Sequence, residues 1–318
     1  MKKFYVFAAV AIAVLASCTK SEVVYNQGQQ EIGFRQFTGS MTKADPTKLS
    51  ELVGGPTTMG VFAHINASNP YKEYFSNAKF EMPTSGNVWG GNPKRYWPLQ
   101  DKLDFTLYAP YVDGTTYKNN TKKLTVAVAN NTTAQQDFMY GTKRYTKIEK
   151  TASGVPVVLK HALSKVSVKI QSNVNNLFTV TKVEIVDPIQ NGSFVVTYGD
   201  ESTSIEMTPG ATKGTVETYS GPEKAITSSS LVDFGSKLVF PLAPNAATNE
   251  VTNAAQLRIT YNMESAIGLI AEAPLSEKWA SGMHYTYNVT LTATEILLTP
   301  TVEGWTDATA SPDPIEIK

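Results

Sequence analysis

The chain has 318 residues, 42% hydrophobic and 18% charged, which is enough to bury one or two cores and too apolar for a disordered chain. Lys plus Arg equals Asp plus Glu at 28 each, so the excess basic charge that holds a phosphate backbone is missing and nucleic acid is not an expected partner. Cys18 is the only cysteine, which rules out a disulfide within the chain.

The first element is the leader "MKKFYVFAAVAIAVLASC". Lys2 and Lys3 precede an apolar run from Phe4 to Ala16, shorter than the roughly 20 residues of a membrane-spanning helix and suited to a secretory signal. The run closes on Leu15-Ala16-Ser17-Cys18, which looks like a bacterial lipobox. On that basis residues 1–17 are expected to be a lipoprotein signal peptide and Cys18 the lipidated first residue of the exported protein. Acyl chains at about 0.8 kcal/mol per buried CH2 would then tether it to a membrane. A plain signal peptide with a chance cysteine is the alternative.

Beyond the leader the chain reads as one strand after another. Residues 31–37 alternate Ile32, Phe34 and Gln36 on one face with Gly33, Arg35 and Phe37 on the other. The polar stretch "TGSMTKADPTK" follows, an exposed type of connection that proteases reach. Alternation continues in "MGVFAHI" (59–65), "LDFTLYA" (103–109), "LTVAV" (124–128) and "VPVVL" (155–159). It resumes in "VSVKI" (166–170), "FVVTY" (194–198), "KLVFPLAP" (237–244), "LRITY" (257–261), "YTYNVTL" (285–291) and "IEIK" (315–318). Clusters such as "DGTTYKNN", "NGSF", "TPGATKG" and "SGPEK" read as turns between them. A turn or two of helix near "NNTTAQQDF" is the most that helical periodicity allows. So many short strands imply β-sandwich architecture, and more than one sandwich, with a break near "KTASGVP" (150–156).

"HALSKVSVKI" (161–170) holds one of three histidines. Even positions from Ala162 to Ile170 share one face; His161, Leu163, Lys165, Ser167 and Lys169 share the other. A metal site needs partners at ligand spacing, and His64 and His284 are far away in sequence, so a structural or hydrogen-bonding role is expected for His161 over a ligand or catalytic one. Nucleophile elbows, phosphate loops and zinc motifs are missing from the sequence. The paired acids Asp200 and Glu201 sit in the turn-like "YGDEST". No cofactor, metal or enzyme activity is expected. Trp89, Tyr96 and Trp97 suit core packing better than a sugar platform.

Taken in order, "EIGF" (31–34), "TKA" (42–44), "GVFAH" (60–64), "RYWP" (95–98), "LDFTLYAPY" (103–111), "QQDFMYG" (135–141), "HALSKV" (161–166), "LVFPLAP" (238–244), Trp279 to Tyr287 and "VEGW" (302–305) resemble the Mfa-like fimbrillins. These are the pilin subunits of Bacteroidales surface fimbriae. The resemblance implies a lipoprotein precursor whose first strand fills a groove in its N-terminal domain. A basic-residue-specific protease cuts behind that strand, and a neighbour's C-terminal strand replaces it. Lys43–Ala44 falls where the family's junction lies, with Lys in place of Arg; Arg35–Gln36 is a second candidate, and an uncut linker the third. The tail "TEILLTPTVEGWTDATASPDPIEIK" offers Ile296, Leu298, Val302, Trp305, Ile315 and Ile317 as donor-strand residues, or else completes its own domain's sheet.

The expectation is an all-β protein of two tandem β-sandwiches, of transthyretin-like or Greek-key type, behind the leader. Residues 18–43 form a propeptide with the removable first strand, 44–154 the N-terminal domain, and 155–318 the C-terminal domain with its donor strand. The expected partners are other fimbrial subunits in a homo- or heteropolymer, a processing protease and the outer membrane, with the cell surface as location and adhesion as the supported task. The alternative is a non-polymerising surface lipoprotein, tip adhesin or anchor that binds glycan or host protein.

Overall fold

The computed structural model describes residues 30–36, 57–65, 72–83, 88–98, 102–129, 135–145, 154–175, 177–198, 203–241, 255–275, 278–292 and 296–304. Among these residues there are strands and no helix, so the all-β expectation holds. In chain order the strands begin with β1 (Gly33–Gln36), β2 (Thr58–Ile65), β3 (Lys72–Glu81), β4 (Trp89–Gly91), β5 (Leu103–Ala109), β6 (Thr116–Lys118) and β7 (Lys123–Ala129). There follow β8 (Met139–Tyr145), β9 (Val155–Val157), β10 (Lys160–His161), β11 (Ser164–Ser172), β12 (Phe178–Ile189), β13 (Asn191–Tyr198) and β14 (Thr203–Pro209). The last are β15 (Lys213–Ala225), β16 (Val232–Val239), β17 (Gln256–Met263), β18 (Ala266–Pro274), β19 (Met283–Leu291) and β20 (Ile296–Gly304).

One sheet has eight strands in the order β10-β8-β5-β2-β3-β4-β1-β9. Its two ends are held by one short segment: Val155–Val157 pairs with β1, and Lys160–His161 pairs with β8. The sheet therefore curls round a core that includes Ile32, Phe34, Phe80, Trp89, Trp97 and Phe105, all 2% exposed or less. β2 shows why a central strand here is apolar on both sides. Met59, Val61 and Ala63 face this core, while Phe62 between them joins a second one.

The second core is enclosed by three four-stranded sheets, β16-β11-β19-β20, β15-β12-β17-β18 and β14-β13-β7-β6. Its centre is the pair β11–β19, which runs parallel from Lys165↔His284 to Ser172↔Leu291. Strand pairing crosses residue 154 in both directions. β9 and β10 pair back into the first sheet, and β7 pairs forward with β13, carrying Leu124, Val126 and Val128 into the second core. Alternation identifies a strand but not its partner, so this interleaving leaves no local mark in the sequence.

Several expected turns are strand. "NGSF" opens β13, with neighbours on both sides; a Cβ at Gly192 would strike the Phe240 ring and the Thr208 carbonyl, so this glycine serves close packing. "SGPEK" lies within β15, whose pairing with β12 shifts register around it. Pro222 is tolerated because β15 is an edge strand and a proline there costs no interior ladder bond. "DGTTYKNN" contains the short β6. Residues 135–138 carry no helical turn, and the rest of "NNTTAQQDF" lies outside the described residues.

The face assignment at His161 also needs correcting. β11 starts only at Ser164, so the alternation cannot be carried back to His161. His161 belongs to β10 and is buried, and Leu163, placed on the polar face by counting, is fully buried.

Candidate functional site

The leading segment lies inside the first sheet, between two strands that come much later in the chain. β1 runs antiparallel to β4, with Gly33↔Gly90 and Phe34↔Trp89, and parallel to β9, with Phe34↔Val155, Arg35↔Pro156 and Gln36↔Val157. Just before it, the Ile32 amide donates to the Arg95 carbonyl at 2.7 Å, and the Trp97 amide donates to the Gln30 carbonyl at 2.9 Å. The expected alternation is realised in Ile32 and Phe34, both 0% exposed. The Phe34 ring meets Phe80 and Phe105 edge-on, with centroids 5.1 and 5.0 Å apart. On the outer side, before the strand begins, Lys94 pairs with Glu31 at 3.0 Å. Such an exposed pair contributes little, and the holding force is apolar burial plus main-chain pairing.

Arg35, the second candidate for cleavage, lies within this paired segment. Lys43 and Ala44, the first candidates, and the lipid-bearing Cys18 lie outside the described residues.

At the other end of the chain, β20 pairs antiparallel with β19 over its whole length, from Leu291↔Ile296 to Met283↔Gly304. Among the described residues it is the edge of its sheet, with no strand paired to its far side. Ile296, Leu298 and Val302 are half-buried against the second core, while Leu297 points to solvent and is 49% exposed. Pro300 fits such an edge, where a missing amide is cheap. Trp305, Ile315 and Ile317 lie outside the described residues.

The three histidines are wired into the fold. His161 Nδ1 is 2.6 Å from the buried Asp137 carboxylate, which binds the entry of β10 to the segment before β8. Sequence reading missed Asp137, since an acid 24 residues upstream carries no signal of contact. His284 donates from Nδ1 to Glu303 of β20 at 2.9 Å and accepts at Nε2 from the Ser167 hydroxyl at 2.7 Å. Burial and the nearby Lys165 push the His284 pKa below its ordinary value, against the pull of Glu303, so the ring is neutral at pH 7. The order acid, imidazole, hydroxyl is that of a hydrolase triad. Ser167, however, is mid-strand between β16 and β19 and only 8% exposed, which suits a tie across β11, β19 and β20 rather than a nucleophile. Burial likewise pushes His64 below its usual pKa.

Among the described residues no three His, Cys, Asp or Glu side chains come together as a metal site. Trp89 and Trp97 are 0% and 2% exposed and face the first core, so neither ring is presented to a ligand. Tyr96 is half-buried beside the leading segment, bridged to Glu31. Asp200 and Glu201 lie outside the described residues.

The comparisons agree with one another on kind. The model of a family described as fimbrillin-like matches residues 42–305. A fimbrial protein from Bacteroides vulgatus shares the fold with a TM-score of 0.60 at 17% identity, covering 87% of this chain and 99% of that one. A candidate cell adhesion protein from Bacteroides uniformis matches with a TM-score of 0.56 at 16% identity, over 89% of this chain and 100% of that one. Another from Bacteroides ovatus gives 0.54 at 15%, over 88% and 99%. No curated protein matches the sequence.

Proposed function

The chain belongs to the fimbrillin-like family, and from that membership we propose that it is a structural subunit of cell-surface fimbriae, assembled by replacing β1 with a strand from a neighbouring subunit. The observation that carries this reading is topological. The first strand among the described residues fills an interior position of the first sheet, held on both sides by strands of later sequence. An interior strand that every other described strand follows is separated from all of them by a single cut behind it. Its loss opens a slot with two unpaired edges rather than trimming a margin.

Magnitudes favour refilling over an empty slot. Ile32 and Phe34 contribute about 1.5–3 kcal/mol each through burial, and each main-chain hydrogen bond about 1 kcal/mol net. Together they rival the 5–15 kcal/mol or so that typically holds a domain folded. A subunit that has lost β1 is therefore marginal until another strand pairs with β4 and β9. The exposed outer edge of β20 and the tail beyond it are the proposed source of a donor for the next subunit.

Cleavage after Lys43 suits this scheme better than cleavage after Arg35, whose peptide bond is part of the paired strand and closed to a protease until the segment melts. The lipid on Cys18 belongs to the same proposal: it holds the precursor at the outer membrane, and the cut releases the folded part from its anchor. A non-enzymatic, structural role follows, with adhesion through the assembled filament. The alternative of a glycan-binding monomer loses its platform with the burial of Trp89 and Trp97.

Treating the purified full-length protein with a trypsin-like protease tests the scheme. Ladders that survive SDS are expected once the chain is cut between β1 and β2. A cleanly cut chain that stays monomeric would overturn it.

A further inference from the structure

The slot has an outer wall as well as an inner one, and the outer wall is selective. Ile32 and Phe34 fill the inner side; Gly33 between them faces outward. A Cβ placed on Gly33 would stand 2.7 Å from Cγ1 of Val88, the residue that leads into β4, and 3.9 Å from the Gly154 Cα. Gly154 is itself crowded: its φ is +82°, and a Cβ there would meet the same Val88 methyl at 3.0 Å and the Phe34 carbonyl carbon at 3.2 Å. The Val88 side chain thus covers the outer face of β1 at its midpoint, and a residue with a side chain passes beneath it only if Val88 is displaced.

We propose, on the strand-replacement reading above, that the slot selects its occupant by this wall. It takes a strand that reads large apolar, glycine, large apolar, and its natural filler is a strand of that pattern from a different subunit. The chain's own tail does not supply one. Within residues 296–318 two places put large apolar residues either side of a single position, Ile296-Leu297-Leu298 and Ile315-Glu316-Ile317. Their middle residues are Leu297 and Glu316, each with a side chain where Val88 stands. The one glycine of that stretch, Gly304, lies between Glu303 and Trp305, and would aim a carboxylate into the apolar place of Ile32 or Phe34. The rule holds whichever way the incoming strand runs, because the middle residue faces the wall in both directions.

The test uses the full-length chain with a site-specific protease sequence placed at residue 43, cut and then offered labelled peptides. The peptide of residues 30–37 is expected to enter at least about tenfold more tightly than its Gly33→Glu version or peptides of residues 294–301 and 311–318. In a Val88→Ala chain that gap should shrink to about threefold or less. Entry of the Gly33→Glu or tail peptides into the unmodified chain within about threefold of the native peptide would overturn the selection rule. Failure of the native peptide to enter at all would instead sink the strand-replacement reading, and thermal melts of the uncut chain then decide the wall alone. Gly33→Ala should lower the Tm in the native background and leave it nearly unchanged beside Val88→Ala; equal shifts in both backgrounds would remove the wall.

Discussion

The first and last described strands are held in opposite ways. β1 has four residues, lies inside its sheet, has a neighbour on each side and buries Phe34 completely, as the residue before it buries Ile32. β20 has nine residues, lies at the margin, has one neighbour and buries its inward side chains only by half. Length and attachment run in opposite directions. Taking away β20 moves an edge inward by one strand; taking away β1 splits a sheet. The short segment is the more consequential because its neighbours are about 55 and about 120 residues away, while β20 returns directly along the strand before it.

Mutations sharpen this contrast. Phe34→Ala in the intact precursor should cost about 3–5 kcal/mol, read as a fall in denaturation midpoint, because the ring is enclosed by Phe80 and Phe105. A cost below about 1 kcal/mol would mean β1 is not integral to the first core. Asp137→Ala should cost about 2–3 kcal/mol, since it leaves His161 buried without its carboxylate. Leu298→Ala on β20 should cost only about 1 kcal/mol, in line with half burial. If it matches Phe34→Ala, the two ends are held equally and the contrast fails.

Acidification supplies a gentler probe. The lowered pKa values of His64 and His284 mean that below about 6.5 the unfolded chain takes up protons that the folded one resists, so stability should fall from neutral pH toward pH 5.5 or so. His64→Gln and His284→Gln, melted separately across that range, assign the loss to the histidine of β2, beside Tyr117, or to that of β19, beside Ser167 and Glu303; a slope unchanged in both would break the assignment. The smallest effect belongs to Leu297→Ala, expected to stay within about 0.5 kcal/mol because that side chain faces solvent.

Much of the strand content was legible in the sequence, and for a plain reason. β2, β5 and β19 carry long alternations whose side chains go where period two sends them. The alternation of Ile32 and Phe34 likewise marked β1 as a strand with a buried face. That β1 lies between Trp89 and Val155 was not legible, since pairing between distant strands depends on shape complementarity that no local window contains. "NGSF" and "SGPEK" misled because glycine and proline signal turns only when nothing else requires them. Gly192 is small to admit Phe240, and Pro222 sits on an edge that spares its missing amide. Asp137 and Glu303 were overlooked for a related reason: an isolated acid becomes a histidine partner only when the fold brings it there. Val88 was invisible as a wall, because its role comes from a methyl group leaning over the neighbouring strand.

The parallel pairing of β11 with β19 has a consequence in time. Residue 165 waits for residue 284 before the middle of the second sandwich exists. A nascent chain emerging from its N-terminus has no complete centre until nearly all of it has been synthesised, and contacts so remote in sequence form slowly, on the millisecond-to-second scale of all-β domains. Until β19 has been made, β11 lacks its parallel neighbour, and the middle of that sheet closes late.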